Sequence, residues 1–265
     1  MISRILLTSA AVCAVSHAAP VRSGKAAVEL IAASTTYQAG KPVEVAVRMK
    51  VDREWHTYWS NPGEGGMKIS VKWTLPAGWT ASEPAFPVPK SFHTGGLAGY
   101  GYEGTVVFPI TLMPPAESTG EVKPVANVSW LTCNDDACVP GKAELSLSFT
   151  PGPVAATGDE DAVRQAIASI PTAVDGLTLK VTEKDQLLEL TVDAAATFDL
   201  AAAKVFPETE QAVAPAEKIV FTKDGEVWKA TVKKNEYASG PLKKLTLVIA
   251  GAGAPAKVTW VAEKS

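Results

Sequence analysis

From Ala26 to Phe149 apolar residues return at every second position, the period of strands with one buried face. Val43, Val45, Val47 and Met49 point one way while Glu44, Arg48 and Lys50 point the other. Ile69, Val71, Trp73 and Leu75 alternate in the same manner with Lys68, Ser70, Lys72 and Thr74. Turn signals separate the runs, among them Ala39-Gly40-Lys41-Pro42, Asn61-Pro62-Gly63 and Pro76-Ala77-Gly78. About seven short strands of this kind predict an immunoglobulin-like β-sandwich over residues 24–150.

The pattern changes after Phe149. Residues 151–158, with Pro151-Gly152-Pro153 and Thr157-Gly158, read as a linker. Asp159 then stands at a capping position before Val163, Ile167 and Ile170 at helical spacing, which predicts one short helix. Strand patterns return at Leu177–Val181, Leu188–Val192, Ile219–Phe221 and Leu245–Ile249. Lys223-Asp224-Gly225-Glu226 fits a hairpin turn. Residues 159–265 are thus expected to form a second, smaller, mainly β domain that has neither cysteine nor histidine. It reads as a scaffold or docking module.

Residues 1–18 have the make-up of an export signal. Arg4 precedes an apolar run from Ile5 to Val15, and Ser16-His17-Ala18 supplies small residues before the cut. Removing it takes Cys13 and leaves 24 Lys+Arg against 28 Asp+Glu, since Arg4 is the only charge lost. That small mixed charge argues against nucleic acid and against an anionic membrane as partner. No later stretch has eighteen consecutive apolar residues, so no membrane-spanning helix is expected. The expected address is the periplasm, an oxidising compartment.

Two cysteines remain, in Trp130-Leu131-Thr132-Cys133-Asn134-Asp135-Asp136-Ala137-Cys138-Val139-Pro140-Gly141. Alternating residues on both sides predict two antiparallel strands with a cysteine at each lip of a polar loop. Facing Cα atoms in such a pair lie about 4.5–5.5 Å apart, within reach of a disulfide. Such a bond is either a structural staple or a reversible redox pair. Closing so short a loop stabilises the fold by only about 2 kcal/mol in the loop-entropy model, which weakens the first reading. Asp135 and Asp136 lie between the cysteines, and adjacent carboxylates raise a thiol pKa. A pair tuned that way is suited to being attacked by a partner's thiolate. Cys133, ending an apolar strand, is expected to be the more buried; Cys138 is expected to be open, with Pro140 interrupting the strand pairing.

Other candidates are weaker. Ser91 to Gly104 holds five glycines, and its tip residues Gly95, Gly96, Leu97, Gly99, Tyr100 and Gly101 form either a plain surface loop or a lid over the cysteines. It lacks the strand–turn–helix setting of a phosphate loop, so nucleotide binding is rejected. Trp55, His56 and Trp59 read as core plus rim or as a partner surface. His56 and His93 with the two cysteines have no zinc-finger spacing, and no metal or cofactor is expected. No nucleophile elbow supports hydrolysis.

Three motifs in this order resemble the N-terminal periplasmic domain of the DsbD thiol:disulfide interchange proteins, over roughly residues 26–150. They are Trp55 to Gly63, Gly99-Tyr100-Gly101-Tyr102-Glu103-Gly104, and Trp130 to Gly141 with its cysteine pair. The similarity is strongest to the branch that includes the suppressor-of-copper-sensitivity membrane reductases. Val205-Phe206-Pro207-Glu208-Thr209-Glu210 and Ala214-Pro215-Ala216 resemble that branch's second periplasmic domain. The resemblance implies that Cys133 and Cys138 exchange electrons with thioredoxin-fold periplasmic partners, that Cys138 forms the mixed disulfide, and that 95–101 is a cap. Full-length members continue into membrane helices and this sequence does not, so a separate membrane electron conduit is expected. The rival expectation is a non-catalytic binding or assembly module with a permanent disulfide.

Overall fold

The computed structural model describes residues 19–195, 198–251 and 253–263; the expected export signal lies outside the described residues. The chain opens with β1 (Val21–Ser23) and β2 (Ala26–Ala32), then β3 (Thr36–Tyr37), β4 (Val43–Val51) and β5 (His56–Gly63). Next come β6 (Ser70–Thr74), β7 (Thr80–Ala81), β8 (Lys90–Thr94), β9 (Leu97–Glu103) and β10 (Thr105–Met113). The first half closes with β11 (Val125–Cys133), β12 (Cys138–Ser146) and β13 (Thr150–Pro151).

These strands form the expected immunoglobulin-like sandwich. One sheet runs β1-β2-β4-β10-β7 and the other β12-β11-β5-β9-β8, with β6 paired to β11 as well. The predicted inward set of β4 (Val45, Val47 and Met49) is fully buried, and it meets Phe108, Trp59 and Trp130 in one cluster. Sheet-on-sheet burial of alternate residues is what fixes the register here, because a slip of one residue would turn Arg48 and Lys50 into the core.

Helix α1 (Glu160–Ala168) packs on the outer face of the first sheet, where Val163 meets Ile31, Ala33 and Ala46. Asp159 takes the N-cap position, yet its side chain makes no cap hydrogen bond; Arg48 bonds its carboxylate at 2.7 Å and that of Glu29 at 2.8 Å. Ala166 is buried and Ile167 is 38% exposed, a one-residue rotation from the expected apolar stripe. The helix precedes the second half in sequence but rests on the first.

The second half contains β14 (Thr172–Ala173), β15 (Leu177–Lys184), β16 (Leu187–Ala194), β17 (Lys204–Pro207), β18 (Thr222–Asp224), β19 (Val227–Lys233), β20 (Lys244–Ala250) and β21 (Ala256–Val261). They form two four-stranded sheets, β14-β21-β20-β17 and β15-β16-β19-β18. Ile219–Phe221, expected as a strand, precede β18 instead: Ile219 and Phe221 are buried and Val220 is exposed, so the alternation is real but the segment is unpaired. The core holds Leu188, Leu190, Val192, Leu245 and Leu247.

The halves meet through β17 and the segment after it. Phe206 joins the first core and lies edge-on to Trp59 and Tyr100, with ring centroids 6.2 and 6.1 Å away. Asn61 Nδ2 donates to the carbonyl of Pro207 at 2.7 Å, and the Tyr100 hydroxyl donates to that of Pro215 at 3.0 Å. Lys68 and Glu210 add an exposed ion pair at 2.9 Å. Among the described residues no helix is long and apolar enough to cross a membrane.

Candidate redox site at the end of a hairpin

β11 and β12 pair antiparallel from Val125–Ser146 to Cys133–Cys138, so the two cysteines face each other at the open end of the ladder. A disulfide joins them, with Cα atoms 4.1 Å apart. The loop between is held by Asn134, whose side-chain oxygen accepts from the N–H groups of Asp136 at 3.1 Å and Ala137 at 2.9 Å. Asn134 N–H also donates to the Ala137 carbonyl at 3.0 Å. These bonds turn the chain within four residues and return Cys138 to the ladder. Cys133 is fully buried, whereas Cys138, Asp135 and Asp136 are exposed.

Gly141 makes room for Trp130 on the facing strand. A Cβ there would lie 2.3 Å from the Trp130 indole, so glycine lets that ring pack under the strand. Pro140 does not interrupt the pairing, contrary to expectation: it pairs with Leu131. β12 ends its sheet's strand order, where a missing N–H is tolerated. Cys138 is open because it begins this outer strand.

A cavity of about 290 Å³ opens beside Cys138, lined on one side by the 134–138 loop. Tyr58, Phe92, Thr94 and Leu97 form other walls. Gly95 and Gly96 make the two-residue turn joining β8 and β9, both with positive φ (56° and 85°), as such a hairpin turn requires. The turn comes close to the cysteine loop: a Cβ on Gly95 would be 4.0 Å from the Asp135 carbonyl oxygen. Glu64 braces the other end, accepting from Ala98 N–H at 2.7 Å while its own N–H donates to the Ala98 carbonyl at 3.0 Å.

Residues 27–150 match the model of a family described as the N-terminal region of thiol:disulfide interchange protein DsbD. The segment belongs to the DsbD N-terminal family. The crystal structure of the N-terminal periplasmic domain of ScsB from Proteus mirabilis covers 91% of this chain and 94% of its own, at 22% identity and a TM-score of 0.68. That likeness takes in both halves and shows a shared fold. The sporulation control protein Spo0M from Bacillus subtilis aligns over 90% of this chain and 91% of its own at 11% identity, but a TM-score of 0.27 carries no argument. No curated protein sequence matches the chain.

Within this DsbD-type domain, several expected positions need correction. The glycine-rich stretch is a hairpin, not a long loop. Gly99 and Gly101 lie inside β9, where a Cβ on Gly101 would sit 1.9 Å from the Thr57 carbonyl oxygen and one on Gly99 2.8 Å from the Phe92 ring. Glycine is required there for close packing. Tyr100 is buried against Trp59 and Phe206, and burial pushes its hydroxyl pKa up to about 12, so it does not cover the disulfide. Leu97, 52% exposed, does line the cavity beside Cys138.

The proposed aromatic surface also changes. On the interior strand β5, Trp59 is fully buried by the facing sheet and by Phe206, whereas His56 is nearly buried on the opposite face under Phe92. Neither offers an open docking face. Trp55 is partly buried under the Lys25 ammonium, 5.4 Å from its ring. His93 projects from β8 as an exposed side chain, and among the described residues no group of histidine, cysteine and carboxylate side chains is arranged to hold a metal. The residues that sequence reasoning left out are Tyr58, Phe92 and Thr94. The cavity they share comes only from the pairing of β5 and β8 with the two edges of β9, which leaves no local mark in either segment.

Proposed function

We propose that the chain is a periplasmic thiol–disulfide interchange carrier that exchanges electrons with thioredoxin-fold partners through Cys133 and Cys138. The observation that carries this reading is the asymmetry of the disulfide: one sulfur-bearing residue is fully buried and the other is exposed beside a cavity. A partner's thiolate attacks the accessible sulfur of Cys138, the Cys133–Cys138 bond breaks, and the electron pair leaves on Cys133. A second thiolate on the partner then frees Cys138, so this domain ends as a dithiol and the partner as a disulfide. The reverse sequence passes electrons outward. A separate membrane protein is the expected electron conduit, and the 94–97 hairpin tip acts as the cap between encounters.

Family membership of residues 27–150 and the fold shared with the ScsB periplasmic domain support the reading. The deciding experiment equilibrates the protein with glutathione or dithiothreitol buffers of known potential and follows the dithiol fraction. A potential above about −300 mV is expected for a working carrier. A lower value would identify a bond that stays closed, and the chain would then serve as a binding module.

A further inference from the structure

The ladder registers place four residues in one row across the sheet. Cys138 faces Cys133, Cys133 faces His56, and His56 faces Glu103. Residues directly opposed on neighbouring strands project from the same face, with Cβ atoms about 4.5–5.5 Å apart. His56 therefore stands beside the buried cysteine, on the side away from Cys138. Its ring stacks on Phe92 at 3.9 Å between centroids. Its Nε2 lies 3.3 Å from Thr94 Oγ1 and 3.4 Å from the Tyr58 hydroxyl, both of which border the cavity.

We propose that His56 takes and returns the proton of Cys133 during exchange, which rests on the carrier reading above. A buried sulfur has little water to exchange protons with, and a thiolate left there without a proton source is costly. In the resolving step, the Cys133 thiol proton passes to the His56 ring. The freed sulfur electron pair attacks the Cys138 sulfur of the mixed disulfide, the Cys133–Cys138 bond forms, and the bond to the partner breaks. Its electron pair leaves on the partner's sulfur, so the partner is reduced and this pair is oxidised. The proton then leaves the imidazolium for solvent. In the other direction the imidazolium protonates Cys133 as it is expelled.

The surroundings suit both halves of that cycle. Burial lowers the His56 pKa below its ordinary value, which keeps the ring neutral and able to accept a proton at neutral pH. The carboxylates of Glu103 and Asp135 act in the opposite sense and favour the imidazolium once formed. Glu103 is partly engaged by Lys90 at 3.4 Å, and burial raises the Tyr58 hydroxyl pKa, so that group stays neutral. Thr94 and Phe92, from β8, bring no charge.

The test mixes the reduced full chain with one equivalent of dithiobis(nitrobenzoate) in a stopped-flow instrument, from about pH 5 to about pH 9. Attack by one cysteine releases a first thionitrobenzoate, and resolution by the other releases a second. For the unaltered protein the second rate should rise as His56 loses its proton and then level off. In His56→Gln it should be at least about tenfold slower at neutral pH and climb steadily with hydroxide instead. Coincident second-phase profiles would overturn the proposal. Should the variant fold poorly, the unaltered protein still decides: the midpoint of its profile must match the His56 titration seen by NMR in the reduced state, and a mismatch overturns it. Absence of any second phase in both proteins would instead overturn the carrier reading.

Discussion

The two sulfurs differ by position alone. Cys133 ends an interior strand and Cys138 begins the outer one, so a partner the size of a folded domain reaches Cys138 first. Cys133→Ala should therefore leave Cys138 able to bond a thioredoxin-fold partner that lacks its own resolving cysteine, and no intramolecular thiol remains to release it. Cys138→Ala should trap at least about tenfold less, because its remaining sulfur is buried. Non-reducing gels of the two variants with such a partner measure this, and equal trapping would remove the assignment. The burial difference was legible in the sequence, since Val125, Val128, Trp130 and Leu131 lead into Cys133. The reason given for an open Cys138 was not correct: Pro140 stays in the ladder, and the outer position of β12 does the exposing. Strand order within a sheet leaves no local mark on the residues that adopt it.

At the level of elements, the β8–β9 hairpin borders the disulfide, and the cap role proposed for it can be tested. Its turn approaches the Asp135 carbonyl, and Leu97 reaches over the cavity, where a Cβ on Gly65 would lie 3.3 Å from the Leu97 Cδ1 atom. Leu97→Ala should speed reduction of the disulfide by dithiothreitol about two- to tenfold while the melting temperature shifts little, because an exposed side chain carries small packing energy. An unchanged rate would show that the hairpin does not shield Cys138. Glu64→Gln should act in the same direction, since it weakens the brace on Ala98. Glycine density suggested mobility because glycine is a poor strand former. Two of these glycines instead stand where Phe92 and the Thr57 carbonyl press against the strand, a constraint from residues distant in sequence. The stretch read as a loop or a lid; the Gly95-Gly96 hairpin turn and the close packing at Gly99 and Gly101 emerge only with the strand pairing.

Across the whole molecule, Phe206, packed on Trp59 and Tyr100, is the aromatic link between the second half and the sandwich. Trp59 read either as core or as part of a partner surface, because its own neighbours, Tyr58 and Ser60, say nothing about what lies above it. Its cover, Phe206, comes from far along the chain and was noticed only as part of a family-like motif. The buried Asn61 bond to the Pro207 carbonyl has the same long-range origin, whereas the alternation in β4, β16 and β20 needed no such information. If the halves are stabilised as one unit, Phe206→Ala should cost about 3–5 kcal/mol through the cavity it leaves between Trp59 and Tyr100. Calorimetry should then show the joint melting transition fall in temperature and divide in two, and tryptophan emission should move to longer wavelength as water reaches Trp59. The disulfide's reduction rate should not change, because Phe206 does not line the cavity beside Cys138. Unaltered melting would mean that the two cores are independent, and the second half would then be a tethered neighbour rather than part of the sandwich's support.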